Sequence, residues 1–230
     1  MDKVNKKSIS PNKSELFAGL PSSVSKEMIS SARPKDFASG EVMYLAGDPI
    51  KQVLLLTEGR VKKSKLSESG REAILRLTVP GEVISELALV PGVWHSSTAQ
   101  ALQDCKVLAW ESATFEAALE CFPGLRRNVN LILERRLVEL ERRIWELSTG
   151  TASPRLANGL VHLLDRIGHR VDGHFEINLS QEALGQMTGM TSFSVCHLLS
   201  EWKGQGLVKL RKETIEIHSV PRLLELCGVR

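Results

Sequence analysis

The segment "LSQEALGQMTGMTSFSVCHLL", residues 179–199, has the pattern of two short helices joined at a glycine corner. Ser180 can cap the first helix, with Glu182 in its positively polarised first turn. Gly185 is small enough for two helices to approach closely, and Gly189 can take the positive φ that a tight turn requires. The segment therefore predicts a helix-turn-helix.

The second helix of this pair has one apolar face and one face of short polar residues. Thr191 is the predicted cap. The residues expected to face inward across the two helices are Leu184, Met187, Val195, Leu198 and Leu199. The residues expected to face outward are Ser192, Phe193, Ser194, His197 and Ser200. Small side chains at a helix start let the backbone approach base edges and phosphates, so this helix is predicted to enter a DNA groove.

The surrounding sequence predicts a winged version of this motif. A helical stretch "RLANGLVHLLDRIG" and a strand "HFEINL" precede it, and a hairpin "GLVKLRKETIEIHS" turning near Lys212–Thr214 follows. Candidate phosphate contacts are Gln181, Lys203, Lys209, Arg211 and Lys212. Residues 154–230 carry nine Lys and Arg against eight Asp and Glu, so charge supports nucleic-acid binding only weakly.

Short strand-like runs separated by glycine turns occupy the chain from Phe37 to about Ala109. Six glycines recur at intervals of roughly eleven residues: Gly40, Gly47, Gly59, Gly70, Gly81 and Gly92. This spacing indicates an all-β sandwich or barrel. The expected hairpin tips are at 47–48, 58–59 and 69–70.

A long helix follows Pro123 and Gly124, with no helix breaker before Gly150. Its apolar residues are spaced 4, 3, 4, 3, and they are Leu133, Leu137, Leu140, Ile144 and Leu147. That spacing is the a/d seam of a coiled coil and predicts a homodimer interface; a core helix of a monomer is the alternative. The stretch "STGTASP" at 148–154 is the expected hinge to the next domain.

Composition places the chain among soluble globular proteins. The 230 residues are 42% hydrophobic and 25% charged, and no apolar run approaches the ~18 residues that span a membrane. The basic start has no apolar segment, so we expect neither a secretory signal nor a membrane partner. Four scattered cysteines without a C-x-x-C pair suit free thiols in a reducing cytoplasm, and they give no indication of a metal site.

The whole chain resembles the cyclic AMP receptor/fumarate–nitrate reduction regulator (Crp/Fnr) family of bacterial transcription factors. The helix-turn-helix segment is similar to that family's DNA-reading motif, and "GEVMYLAGDPIKQVLLLTEGRVKKSKLSESGREAIL" and "PGEVISELAL" are similar to its β-roll signatures.

The resemblance implies an α+β fold. An N-terminal double-stranded β-helix, a jelly-roll-like β-roll that binds an effector, is expected at 15–124, a coiled-coil dimerisation helix at 125–147 and a winged helix-turn-helix at 153–220. It also implies a cytoplasmic homodimer on a palindromic operator, with half-sites about one helical turn apart. RNA polymerase is a further partner if the protein is an activator; activation and repression both stay open.

The expected effector pocket departs from the family's cyclic-nucleotide binders. Those proteins carry a Gly-Glu-Leu motif and an Arg-Ser pair; here the matching residues are Ser85, Glu86, Leu87, Ser96 and Ser97. No Arg or Lys lies within 77–105. Loss of the phosphate-binding arginine removes a charge-assisted contact of ~1.5–3 kcal/mol, so cyclic AMP is not the expected effector.

Two other cofactors of the family are weighed in the same way. The family's iron–sulfur members use clustered N-terminal cysteines, and this chain has none before Cys105, so no such cluster is expected. The "MTGMT" turn resembles that of haem-dependent members. The histidines that could supply a haem ligand are His95, His162, His169, His174, His197 and His218, and no spacing singles one out. Haem, an unknown small molecule and no effector at all stay open.

Phe193 and His197 stand where many relatives carry the glutamate and arginine that read a guanine–cytosine pair. The operator is therefore expected to differ from the family consensus. The alternative to a DNA-binding regulator is a ligand-binding module whose C-terminal domain docks protein. Catalysis is not expected, because Cys196 and His197 project about 100° apart on a helix and cannot form a nucleophile–base pair.

Overall fold

The computed structural model describes residues 8–87 and 92–228. The chain divides into two compact units. The first comprises the residues up to Gly70 together with Leu75–Glu139, and the second comprises Arg71–Ile74 together with the residues from Leu140 onward. In these two stretches of chain, no helix is both long and apolar enough to cross a membrane.

The N-terminal half of the chain is built on two antiparallel sheets. Its strands are β1 (Arg33–Phe37), β2 (Val42–Tyr44), β3 (Gln52–Glu58), β4 (Val61–Leu66), β5 (Glu72–Thr78), β6 (Thr98–Ala101) and β7 (Cys105–Glu111). One sheet has the order β1-β7-β3 and the other β2-β6-β4-β5. The all-β character predicted from the glycine spacing is confirmed.

Only one of the three predicted hairpin tips joins neighbouring strands. The turn at 69–70 connects β4 to β5, which lie side by side. The turns at 47–48 and 58–59 were wrong as hairpin tips, because β2 and β3, and likewise β3 and β4, lie in different sheets. A turn residue marks a reversal of the chain, but which strands then pair depends on the burial of their side chains.

Helices flank the first unit. After two short 3-10 turns at Pro11–Lys13 and Glu15–Phe17 come α1 (Ser22–Ser31), α2 (Ser112–Cys121) and the long α3 (Pro123–Thr149). The Asn128 side chain of α3 donates to the carbonyls of Leu16 and Ala18, at 3.0 and 2.9 Å. Helix α2 was not predicted, although Phe115 and Leu119 are spaced by four residues and both are buried.

The second unit has the architecture predicted for a winged helix-turn-helix. Its elements are α4 (Ala152–Ile167), β8 (His169–Val171), β9 (His174–Asn178), α5 (Gln181–Thr188), α6 (Ser192–Gly204), β10 (Val208–Arg211), β11 (Thr214–Ile217) and α7 (Val220–Leu226). The four strands form one sheet in the order β10-β11-β9-β8. Strand β8 and helix α7 were not predicted.

The linker before this unit is shorter than predicted. Helix α3 continues to Thr149 and α4 begins at Ala152, so only Gly150 and Thr151 lie between the helices. Gly150 donates its N–H to the Glu146 carbonyl at 3.0 Å, which continues the helical pattern of bonds. Most of the residues of "STGTASP" therefore belong to the ends of α3 and α4, and the connection between the helices is only two residues long.

Candidate nucleic-acid interface and effector pocket

The corner between α5 and α6 is built by the two glycines. Gly189 has a φ of 66°, in the left-handed region that favours glycine. A Cβ placed on Gly185 would lie 2.9 Å from the Met190 carbonyl oxygen, so only glycine fits there. The Ser180 hydroxyl accepts from the Ala183 N–H at 3.1 Å and caps α5 as expected.

Helix α6 buries one face and leaves the other open. The Thr191 hydroxyl accepts from the Ser194 N–H at 3.1 Å and caps the helix. Val195 and Leu199 are fully buried, and so is Trp202 one turn further on, which the sequence pattern had not indicated. On the opposite side, Ser192, Phe193, His197 and Ser200 are exposed, with Phe193 80% exposed.

Three of the predicted orientations differ from the observed burial of the side chains. Met187 and Leu198, expected inside, are half-buried, and Ser194, expected outside, is also half-buried. The inner position on α5 is instead filled by Thr188, whose hydroxyl donates to the Leu184 carbonyl at 2.8 Å. A hydroxyl that bonds to its own helix can be buried without an unpaired polar group, which apolar periodicity does not reveal.

The predicted phosphate contacts differ in how available they are. Lys203 and Lys212 are exposed, and Gln181 is half-buried at the start of α5. Lys209 lies 3.8 Å from the Glu216 carboxylate, and Arg211 forms an ion pair with the same buried group. In this structure two of the wing's cations are therefore held by an internal acid.

The predicted dimer residues form an exposed apolar row along α3. Leu133, Leu137, Leu140, Ile144 and Leu147 are between 40% and 63% exposed. A second exposed row, which was not predicted, is formed by Leu131, Val138 and Trp145. The residues of this second row also recur every seven positions. The second row was not predicted because the first row already accounted for the heptad pattern.

The predicted effector residues divide into three buried side chains and two that are more exposed. Ser85, Leu87 and Ser97 are buried in the packing of the sheets. The Ser85 hydroxyl accepts from the Leu54 N–H at 3.1 Å, and Leu87 packs in a core cluster with residues of β3. These three side chains are therefore part of the packed interior of the N-terminal half.

Glu86 and Ser96 do come together, in a cluster of polar groups. The Glu86 carboxylate accepts from the Lys63 ammonium at 2.7 Å and from the Ser96 hydroxyl at 3.0 Å, and it lies 2.6 Å from His95 Nδ1. Burial alone would raise the pKa of Glu86, but the His95 hydrogen bond and the Lys63 charge outweigh it and lower the pKa to about 2. Glu86 is therefore an anion with its oxygens already engaged.

An aromatic ring and a second cation complete this cluster. The His95 ring stacks on Tyr44, with centroids 3.5 Å apart and an interplanar angle of 9°. Burial, followed by the negative charge of Glu86, raises the pKa of Tyr44. Arg136 of α3 donates to the carbonyls of Val83 and Ser85, and burial lowers its pKa to about 10.

Segment 77–105 carries no Arg or Lys, yet cations reach this site from elsewhere in the fold. Lys63 lies on β4 and Arg136 on α3, far from the motif in sequence. Nothing local marks either residue: Lys63 is one of several lysines in "VKKSKL", and Arg136 one of several arginines in α3. Only the pairing of β4 with β6 and the packing of α3 bring them to Glu86 and its neighbours.

The histidines considered as haem ligands are placed in different settings. His95 is buried, its Nδ1 lies 2.6 Å from the Glu86 carboxylate and its ring stacks on Tyr44. His197 is exposed on α6. His169 and His174 lie on the sheet β10-β11-β9-β8, here called the wing sheet, and His218 directly follows β11; each lies close to a glutamate.

Known families match both halves of the chain. Residues 34–121 match the cyclic nucleotide-binding domain, and residues 154–226 match the Crp-like helix-turn-helix domain. These matches agree with the two sheets of the N-terminal half and with the helix-turn-helix of the second unit.

Individual relatives cover most of the chain. It is 22% identical over 210 residues to a CRP-like cAMP-activated global transcriptional regulator of Mycobacterium tuberculosis, covering 90% of this chain and 94% of that protein. It is 25% identical over 198 residues to the fumarate and nitrate reduction regulatory protein of Escherichia coli K12, covering 85% and 79%.

A solved structure shows the same fold. FixK2 from Bradyrhizobium japonicum superposes with a TM-score of 0.77 at 25% identity, covering 86% of this chain and 98% of that one. The relatives are transcription regulators and not enzymes, in agreement with the prediction that Cys196 and His197 do not form a catalytic pair. The two domain matches and these relatives together establish that the chain belongs to the Crp/Fnr family of transcription regulators.

Proposed function

We propose that this regulator acts in the cytoplasm as a homodimer on a palindromic operator, and that its β-roll does not bind cyclic AMP through a phosphate-binding arginine. The observation that carries the DNA-binding part is the outer face of α6. There Ser192, Phe193 and His197 are exposed, while Val195 and Leu199 fix the helix to the unit from behind.

The exposed apolar row on α3 supports the dimer. Five large aliphatic side chains, each 40–63% exposed, repeat with the 4-3 spacing of a coiled-coil seam. Fully burying one such side chain contributes about 1.5–3 kcal/mol, and a second copy that covered the row would supply roughly half of that at each of its five positions, against the entropy lost on association. In a parallel pair the two α6 helices are related by a twofold axis. The two half-sites of the operator would then lie about 34–36 Å apart.

The reading face indicates an operator that differs from the family consensus. His197 can donate one hydrogen bond to a guanine acceptor, whereas arginine donates two. Phe193 offers an apolar ring that suits a thymine methyl group. Serines around them allow the helix backbone to lie close to the phosphates.

The Glu86 cluster argues against cyclic AMP as the effector. The carboxylate already accepts at Oε1 from Lys63 and Ser96 and faces His95 at Oε2, so most of its acceptor positions are occupied within the protein. The residues after it offer Ser96-Ser97 in place of an arginine-containing pair. An effector of another class, or none, fits these residues better. If the protein activates transcription, RNA polymerase would be a further partner.

A gel-shift series at rising salt tests DNA binding. Operators are first selected from random duplexes, and affinity is then measured between about 50 and 200 mM salt. We expect a steep linear fall of log affinity with log salt concentration, because phosphate contacts release counterions. A flat series with no selected sequence would instead support the alternative, a module that docks protein.

Sedimentation of a Leu137→Glu/Ile144→Glu variant tests the dimer. Charges placed in the seam should convert a dimer into monomers and weaken operator binding by at least about 100-fold, because each half-site would be bound separately. Glu134→Ala/Glu141→Ala, on the same helix outside the row, is the control and should stay dimeric. A wild-type protein that sediments as a monomer at micromolar concentration would refute the proposal.

A further inference from the structure

Three histidines and two glutamates lie together on the wing sheet. His169 is on β8, His174 and Glu176 are on β9, and Glu216 is on β11, with His218 directly after that strand. In the strand register Glu176 lies opposite both Glu216 and His169. Because side chains two residues apart share a face of a strand, His174 and His218 lie on the same side of the sheet as the two glutamates.

The ligand-type atoms of this cluster are close to one another. His174 Nε2 is 3.3 Å from Glu176 Oε1 and 3.8 Å from Glu216 Oε2. One ligand atom from each of these three residues can be chosen so that all lie within 4.8 Å of one another. His218 Nε2 is 3.4 Å from Glu216 Oε2, and its ring stacks on that of His174 at a centroid distance of 5.1 Å.

These separations suit a small shared ion as well as direct hydrogen bonds, since His174 Nε2 already lies within hydrogen-bond distance of Glu176 Oε1, at 3.3 Å. An imidazole nitrogen carries one hydrogen, yet His174 Nε2 faces two carboxylates, and Glu216 Oε2 faces two imidazoles. Around Zn²⁺, with ligands at about 2.0–2.2 Å in a tetrahedron, neighbouring ligand atoms are about 3.3–3.6 Å apart. The observed spacings fall close to that value before any side chain moves.

We propose that His174, Glu176 and Glu216 bind one transition-metal ion of the zinc class, with His218 as the fourth ligand. Imidazole nitrogen with carboxylate oxygen is a donor set for this class, whereas Mg²⁺ and Ca²⁺ prefer oxygen alone. Glu216 is the second indication, because its side chain is only 1% exposed. A carboxylate buried to this degree needs a positive charge close by; Arg211 and Lys209 supply one from exposed positions, and a bound cation would supply one inside the cluster.

Metal binding would also make the cationic side chains of the wing available to DNA. This consequence rests on the proposed DNA-binding function. Lys209 and Arg211 are the exposed partners of Glu216. An ion that takes over the Glu216 charge releases both side chains toward a phosphate backbone. The metal would then act as a co-activator of operator binding, and the salt slope would steepen by about one unit for each additional phosphate that these side chains neutralise.

The metal site is tested without DNA. Untagged protein stripped with EDTA and dialysed is titrated with Zn²⁺ by calorimetry. The background is Cys121→Ser/Cys196→Ser, because both thiols are exposed and thiolates are ligands for zinc. We expect one ion per chain. His174→Ala should lower the affinity by at least about 100-fold, since loss even of a supporting residue costs 10–100-fold.

Two further variants keep the result interpretable. Glu176→Gln preserves size and should also lose binding, so the test survives if His174→Ala fails to fold by circular dichroism. His162→Gln, on α4 and outside the cluster, is the control and should bind zinc like the parent. Equal zinc affinity in the parent and both cluster variants would overturn the site.

The coupling to DNA is measured by gel shift in EDTA and in saturating Zn²⁺. We expect tighter binding and a steeper salt slope with zinc, and no difference in His174→Ala. An unchanged slope in the parent would overturn the coupling. Absence of DNA binding under both conditions would refute the proposed function instead, while the zinc titration is read independently of it.

Discussion

The Glu86 cluster and the outer face of α6 use polar residues in opposite ways. In the cluster, Lys63, His95 and Ser96 turn toward one carboxylate, and the charges are satisfied inside the protein. On α6, Phe193 and His197 face solvent. Substitutions in the first region should therefore change the free energy of unfolding, and substitutions in the second should change binding with little effect on stability.

Apart from the buried-core contrast Leu199→Ala, the largest change in stability is expected from Glu86→Gln. Its folded-state pKa of about 2 lies below the unfolded value near 4.5, so the ionised carboxylate stabilises the fold above pH 4.5 and this contribution is lost as pH falls toward 2. At pH 7 the variant should lose about 2–3 kcal/mol in urea unfolding, allowing for partial exposure of the side chain. The difference from wild type should narrow between pH 4.5 and 3.

Glu68→Gln, on the exposed turn between β4 and β5, is the matched control and should match wild type at every pH. If the free energy of unfolding lost in Glu86→Gln is the same at every pH, the charge-based explanation is contradicted, because such a loss would reflect packing instead.

Gly185→Val should have the next largest effect. Its Cβ would press on the Met190 carbonyl oxygen 2.9 Å away, and overpacking of this kind costs about 1–3 kcal/mol. Unfolding in urea and operator binding should both weaken, because the corner sets the direction of α6. Gly204→Val, at the C-terminal end of α6, should be tolerated, because a Cβ there would meet no atom within 4 Å. Equal losses of stability in the two variants would argue against a close approach at the corner.

Thr191→Ala should destabilise by about 1 kcal/mol, because the Ser194 N–H loses its cap. Thermal unfolding followed by circular dichroism measures the change. Thr191→Ser keeps the hydroxyl and should restore most of it. If serine and alanine behave alike, the hydroxyl does not cap the helix.

Phe193→Ala should have the smallest effect on stability, within about 0.5 kcal/mol, because the ring is 80% exposed. Operator affinity should nevertheless fall, most for sites with a thymine at the contacted position. Leu199→Ala, on the buried side of the same helix, provides the contrast with an expected loss of about 2–5 kcal/mol. A Phe193 variant as unstable as the Leu199 variant would remove the distinction between the two faces of α6.

Regular local patterns allowed much of the fold to be predicted. The caps at Ser180 and Thr191, the positive φ of Gly189 and the apolar row on α3 each depend on neighbours within a few residues. Elements with weaker signals were missed: α2 has only two buried apolar residues, and β8 is three residues long.

Local sequence thus established two helices at a glycine corner, an amphipathic long helix and a β-rich N-terminal half, because helix and strand periodicity act over one or two turns. The partners of Glu86 and the His–Glu cluster of the wing sheet were settled only when distant strands paired. Lys63 meets Glu86 from 23 residues away, and Glu216 meets Glu176 from 40 residues away. Such contacts depend on sheet order and register, to which periodicity along a single strand gives no direct access.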